Sequence, residues 1–125
     1  RATQAAACFL AGMGAEVPGG VVIDNGFRSL DEERWRAIYS ETRRGDLEAF
    51  LLADHAFVEK EARRFGDALT RVVSSTRVGG RALVVGHSPM LEATVWSVTQ
   101  ETVPALGKGQ GVVLGFANGE FTLSE

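Results

Sequence analysis

The sequence contains a single cysteine, Cys8, and only three prolines and one tyrosine among its 125 residues. One cysteine cannot form an intramolecular disulfide and cannot supply the cysteine cluster of a structural zinc site. We therefore expect a protein of the reducing cytoplasm that needs neither a disulfide nor a metal. No apolar run approaches the roughly 18 residues of a transmembrane helix, so the sequence predicts no membrane span.

The sequence has no excess of basic residues. It contains 13 Lys and Arg and 16 Asp and Glu, so its formal net charge is −3. This balance argues against a nucleic-acid partner, since nucleic-acid-binding domains carry a basic excess. The hydrophobic fraction of 45% and charged fraction of 23% are ordinary for a globular chain, so residues 1–125 are expected to form one domain. The chain opens on Arg1, inside helix-forming sequence without a capping residue, and we expect a further segment before it.

Short apolar runs alternate with amphipathic segments along the chain. The runs at 21–23, 82–85, 112–116 and 121–123 predict strands, and Asn118-Gly119 predicts a hairpin between the last two. The alternation predicts an α/β three-layer sandwich: a partly parallel sheet flanked by helices and closed by the C-terminal hairpin, with one or more N-terminal strands missing.

Helical spacing of apolar residues predicts helices at 1–15, 47–53, 55–73 and 90–99. Another helix is expected after the capping-box pattern that begins at Ser29. The 55–73 helix has the clearest periodicity, and its predicted buried face, packed on the sheet, comprises Val58, Phe65, Leu69 and Val72. Residues 100–109 are predicted to be a loop.

The strongest candidate functional segment is V-V-G-H-S-P at 84–89. It would deliver His87 to the carboxyl end of a buried strand, where open α/β sheets bind ligands. The following helix N-terminus favours an anion. A histidine that only caps the strand is the plainer alternative, and His55 is expected to be an ordinary surface or capping residue.

The second segment is R-A-T-Q-A-A at 1–6. A positive side chain in the first turn of a helix opposes the helix dipole, unless it faces a bound anion. Arg1 is therefore a candidate phosphate ligand, although a charge at a chain end without any function is the simpler reading of this segment alone.

Together, R-A-T-Q-A-A and V-V-G-H-S-P resemble the histidine phosphatase superfamily, also called phosphoglycerate-mutase-like. The Gly-His-x-Pro form is similar to that of phosphohistidine-phosphatase-like members. The resemblance implies catalytic roles for Arg1 and His87, and phosphate binding by these residues and Ser88. It also implies an acid that protonates the leaving group from the 24–32 loop.

Two departures from the family pattern concern catalysis. The Arg-His-Gly segment that supplies the nucleophilic histidine is absent, and we expect it upstream of Arg1, so the 125 residues alone should be inactive. The family's acid position falls on Ser29, and a serine hydroxyl is a poor general acid. Three nearby carboxylates are candidates to replace it: Asp24, Asp31 and Glu32.

The resemblance implies a phosphohydrolase that acts on phosphomonoesters or phosphohistidine through a covalent phosphohistidine, without a cofactor or metal. Its partner would be a small phosphorylated substrate or a phosphoprotein. Two alternatives stay open: a degenerate phosphate-binding module (a pseudo-phosphatase) and a mutase-type phosphotransferase. The sequence leaves the substrate and the oligomeric state undetermined.

Overall fold

A computed structural model describes residues 21–124 of the chain. Most regular structure in this range is helical: a 3₁₀ turn at Asn25–Phe27 precedes α1 (Glu32–Thr42), α2 (Leu47–Ala53), α3 (His55–Ser75) and α4 (Met90–Thr99). Two strands follow, β1 (Leu114–Ala117) and β2 (Glu120–Leu123). The predicted three-layer sandwich is wrong, because the sheet of the described residues consists of these two antiparallel strands.

The long helix α3 organises the core. Asp54 caps it by accepting a hydrogen bond from the backbone N–H of Phe57 at 3.2 Å. The predicted periodicity is confirmed, since Val58, Phe65 and Leu69 are buried, whereas Val72 is only half-buried. This face packs against other helices and not against a sheet, in a core that also contains Trp35, Ile38, Leu47, Phe50 and Ala93.

A glycine allows α3 and α4 to approach closely. A Cβ atom built on Gly66 would lie 3.1 Å from the Cβ of Ser97 and closer still to its hydroxyl. A larger residue at position 66 would therefore push the two helices apart.

The predicted C-terminal hairpin is confirmed. Phe116 pairs with Phe121 in the antiparallel register, and their ring centroids lie 4.7 Å apart. Asn118 and Gly119 form the turn with positive φ angles of 53° and 77°, as the Asn-Gly signal predicts. The strand bounds differ slightly from the prediction. β1 covers 114–117 where 112–116 was predicted, and β2 begins one residue earlier than predicted, at Glu120.

The other two predicted strands are wrong. Val22 and Ile23 are 81% and 72% exposed, and Leu83 is also exposed. Within residues 21–124, the backbone of 21–23 and of 82–85 makes no ladder hydrogen bond. A short apolar run becomes a strand only when another strand pairs with it, and the described residues pair only the hairpin strands.

The predicted helices after Ser29 and at 47–53, 55–73 and 90–99 are confirmed, and the predicted helix at 1–15 lies outside the described residues. The residue that caps α1 differs from the prediction. The Asp31 carboxylate accepts a hydrogen bond from the backbone N–H of Arg34 at 3.1 Å. The carboxylate is adjacent to the helix start, so it takes the role that the capping-box pattern assigned to Ser29.

Candidate functional site

A cleft of about 480 Å³ separates α1 from the turn that leads into α4. Glu32, Arg36 and Tyr39 line it from α1, while the opposite wall comprises residues 87–90. The α1 residues share a face because they are four and three positions apart in a helix. The structure thus places Glu32, His87 and Ser88, which the sequence analysis selected, around one cleft.

His87 reaches the cleft by a route that the sequence did not predict. It is exposed and lies on the turn before α4, not at the edge of a parallel sheet. Its carbonyl accepts a hydrogen bond from the backbone N–H of Leu91 at 2.9 Å, which anchors the turn on the first turn of α4. A Cβ on Gly86 would lie 3.1 Å from the Leu91 side chain, so the glycine allows this close packing.

Ser88 has a partner inside the protein. Its hydroxyl donates to the Glu92 carboxylate, which is completely buried and also accepts from the backbone N–H of Leu106 at 3.4 Å. The second carboxylate oxygen of Glu92 has no hydrogen-bond partner among residues 21–124. Because Glu92 stands in the first turn of α4, its carboxylate offsets part of the positive potential expected at this helix N-terminus.

The three candidate acids have different surroundings. Asp31 caps α1, and Asp24 accepts from the backbone N–H of Gly26 at 2.8 Å and lies 3.9 Å from the Arg71 guanidinium. Glu32 faces the cleft, where its carboxylate lies 3.7 Å from the Arg36 guanidinium, and both side chains are largely exposed. Of the three carboxylates, Glu32 is the one that shares the cleft with His87.

Ser29 does not face the cleft, because its hydroxyl donates to the buried carboxylate of Glu61 on α3. Glu61 also accepts from the indole N–H of Trp35 at 3.0 Å and from Arg64 at 3.3 Å. Burial raises the pKa of Glu61, but hydrogen bonds from Ser29, Trp35 and the backbone N–H of Leu30, together with the Arg64 charge, bring it below its ordinary value.

Sequence reasoning missed Glu61, although the sequence carries a signal for it. Position 61 lies one turn after Val58 and directly before Ala62, on the stripe that is otherwise apolar. A carboxylate on a buried stripe needs hydrogen-bond donors from other elements. The sequence does not show which donors those are.

Arg1 lies outside the described residues, so its expected proximity to His87 stays a prediction. A second cleft of about 630 Å³ lies between α3, α4 and the hairpin. It includes His55 and Trp96 but none of the predicted site residues that the structure describes. His55 lies 3.6 Å from the Glu59 carboxylate on the exposed side of α3.

No protein-family model, curated protein or solved structure matches the chain. Within residues 21–124, no group of three or more His, Cys, Asp or Glu is arranged to hold a metal ion. The helices of this range are all too short or too polar to cross a membrane.

Proposed function

We propose that this protein hydrolyses phosphomonoesters or phosphohistidine and binds the phosphoryl group in the cleft beside His87. The observation that carries the proposal is the position of an exposed His87 across one cleft from Glu32 and Arg36. These groups offer a hydrogen-bond donor, a carboxyl group and a fixed positive charge, which together suit phosphoryl transfer. The R-A-T-Q-A-A and V-V-G-H-S-P segments support the same chemistry through their resemblance to histidine phosphatases.

Each group has a defined role in the proposed reaction. A neutral histidine from a segment upstream of Arg1 attacks phosphorus and forms the N–P bond of phosphohistidine as the bond to the ester oxygen breaks. Glu32 gives its proton to the departing oxygen, so an alcohol leaves. Water then attacks phosphorus and gives a proton to Glu32 while the N–P bond breaks. This step regenerates the neutral histidine of the enzyme and releases inorganic phosphate.

His87 and Arg1 donate to the equatorial oxygens of the phosphoryl group, where negative charge is concentrated in the transition state. Arg36 adds a second guanidinium on the α1 side of the cleft, and its planar fork can bind two oxygens at once. No step in this scheme uses a metal or a cofactor. The single cysteine supports a cytoplasmic location, and the proposed chemistry implies a phosphorylated small molecule or a phosphoprotein as the partner.

The Ser29–Glu61 hydrogen bond favours a second candidate function. If position 29 is the only place for a leaving-group acid, the cleft binds phosphate but does not catalyse turnover, as in a pseudo-phosphatase. The experiment uses the natural full-length protein with p-nitrophenyl phosphate as substrate, and ³¹P NMR of acid-quenched or alkali-quenched samples to detect phosphohistidine. We expect turnover and an alkali-stable, acid-labile phosphoenzyme. Phosphate binding without either signal would establish the pseudo-phosphatase instead.

A further inference from the structure

The cleft beside His87 has two chemically different ends along α1. Glu32 lies in the first turn of α1 and Arg36 near its middle, while Tyr39 lies about 10 Å from Glu32 along the helix axis at 1.5 Å per residue. The far end, which we call the Tyr39 end, is lined by Tyr39 and Gly45, and Phe50 also lines the cleft. A ligand in the cleft would therefore meet the charged groups Glu32 and Arg36 first along α1 and mainly apolar groups beyond them.

The cleft is larger than a phosphoryl group requires. Its volume of about 480 Å³ falls within the range of pockets that enclose organic ligands, roughly 300–1,000 Å³. A phosphate held by His87 and Arg36 would leave the Tyr39 end unfilled. The rest of the substrate is the natural occupant of that space.

The Tyr39 end has the surfaces that an aromatic ring prefers. Tyr39 is 54% exposed, although it is an aromatic side chain next to a packed core. Trp35 and Phe50 line the same cleft, and their buried rings have centroids 5.3 Å apart. Aromatic side chains stabilise a bound ring through apolar burial and through stacked or edge-to-face contact.

Gly45 keeps this end open. A Cβ atom built on Gly45 would lie 3.9 Å from the Tyr39 ring. Apart from the chain neighbours of Gly45, no other atom of residues 21–124 would lie within 4 Å of it, and the backbone there does not require glycine. A side chain at position 45 would thus occupy space beside the exposed Tyr39 ring without distorting the fold.

Polar alcohols fit this end less well. The indole N–H of Trp35, which also lines the cleft, already donates to Glu61. Gly45 and Phe50 carry no polar side-chain group, so the Tyr39 hydroxyl is the polar side-chain group at this end. Most hydroxyls of a polyol phosphate would lose water there and find at most the Tyr39 hydroxyl as a partner, and hydroxyls left unpaired are costly.

We propose that the Tyr39 end of the cleft holds the aromatic group of the substrate, so that the preferred substrate is an aryl phosphomonoester. This inference rests on the proposed function for its phosphoryl site. It goes beyond that function because it assigns the class of the leaving group and the residues that select it.

The test measures binding rather than turnover, since aryl esters are also intrinsically more reactive. Phenylphosphonate and methylphosphonate carry the same headgroup and cannot be hydrolysed, so the ratio of their Kd values isolates the contribution of the ring. Isothermal titration calorimetry of the full-length protein gives both Kd values. The variants are Gly45→Leu and Tyr39→Ala, with Tyr39→Phe to retain the ring and Leu52→Ala as a control on an exposed face away from the cleft.

We expect the wild-type protein to bind phenylphosphonate at least tenfold more tightly than methylphosphonate. Gly45→Leu and Tyr39→Ala should reduce that ratio to about twofold or less, whereas Tyr39→Phe and Leu52→Ala should retain it. Thermal melts identify any variant that fails to fold, and the two cleft variants change different elements, so one of them suffices for the test.

Three results would overturn the inference in distinguishable ways. Equal affinity for the two phosphonates in the wild-type protein would reject an aryl site and leave the phosphoryl site intact. A preference that Gly45→Leu and Tyr39→Ala both retain would place the ring elsewhere. Failure of both ligands to bind would reject the proposed function itself together with the inference.

Discussion

The hydroxyl of Ser29 donates a hydrogen bond to the buried carboxylate of Glu61, which lies 32 residues further along the chain. This bond ties the loop before α1 to the second turn of α3. Ser29 stands at the position where the family resemblance implies a leaving-group acid. Residue 29 therefore links two elements of the core and does not face the cleft that contains His87.

Replacement of Ser29 should affect stability more than chemistry. Ser29→Ala removes a hydrogen bond to a buried charged group, and we expect the free energy of unfolding to fall by about 1.5–3 kcal/mol. Ser40→Ala, at an exposed position on α1, should change it by less than about 0.5 kcal/mol. Urea denaturation of both variants measures the difference.

The glutamate replacement at the same position tests whether an acid at position 29 could act on the substrate. If the acid had been lost at position 29, Ser29→Glu should restore activity. Because the new carboxylate would approach that of Glu61, we expect like-charge repulsion, lower stability than Ser29→Ala and no gain in rate. A stable and faster Ser29→Glu enzyme would show that position 29 does face the substrate.

The carboxylate of Glu61 should make stability depend on pH. Its pKa in the folded protein lies below the ordinary value for glutamate, so the unfolded state binds more protons between the two pKa values. The stabilisation is fully present above the unfolded pKa of about 4.3 and is lost as the pH falls through the folded pKa. Urea unfolding at pH 3–7 should show this loss, and Glu61→Gln should flatten the profile in that window. An unchanged profile in Glu61→Gln would assign the acid sensitivity to other carboxylates.

The core prediction concerns Phe65, which is 0% exposed on the buried face of α3. Phe65→Ala should lower the free energy of unfolding by about 3–5 kcal/mol, because it leaves a cavity between helices. Leu52→Ala removes an apolar side chain that is 84% exposed and should have little effect. Similar midpoints for the two variants in urea would contradict the described packing of α3.

Glu32 and Asp31 are adjacent, but replacing Glu32 should affect activity, whereas replacing Asp31 should affect stability. Glu32→Gln removes the proposed acid and should lower kcat by about 10²–10⁴ with little change in Tm. Asp31→Ala removes the cap of α1 and should lower stability by about 0.5–2 kcal/mol while the folded protein keeps its activity. Steady-state kinetics and thermal melts on both variants separate the roles, and loss of activity in Asp31→Ala alone would assign the acid to Asp31.

His87→Ala should lower kcat by about 10²–10³, the usual effect of removing one donor to a developing negative charge. The fold should be unaffected, since the His87 side chain is exposed. His55→Ala is the matched control, because His55 is also exposed and lies outside this cleft. Equal turnover by wild-type protein and His87→Ala would remove His87 from the mechanism.

The sequence determined the elements that depend on local patterns. Helical periodicity predicted the buried face of α3, and Asn118-Gly119 predicted the hairpin, because capping, turn chemistry and 3.6-residue spacing act over a few neighbouring residues. The V-V-G-H-S-P motif also selected His87, and the resemblance to histidine phosphatases selected Glu32 as one of three candidate acids. Their meeting across one cleft was not predictable from spacing, since 55 positions separate them and packing alone brings α1 and the turn before α4 together.

Tertiary structure alone decided which apolar runs became strands and which carboxylates were buried. The runs at 21–23 and 82–85 have strand-like composition, but a strand needs a partner, and whether one exists is a property of the whole fold. Likewise, the position of Glu61 on the apolar stripe of α3 indicates burial, but only the tertiary structure shows that Ser29, Trp35 and Arg64 bind its carboxylate. Pairing and burial are long-range interactions, so local propensity could identify the segments but not their final neighbours.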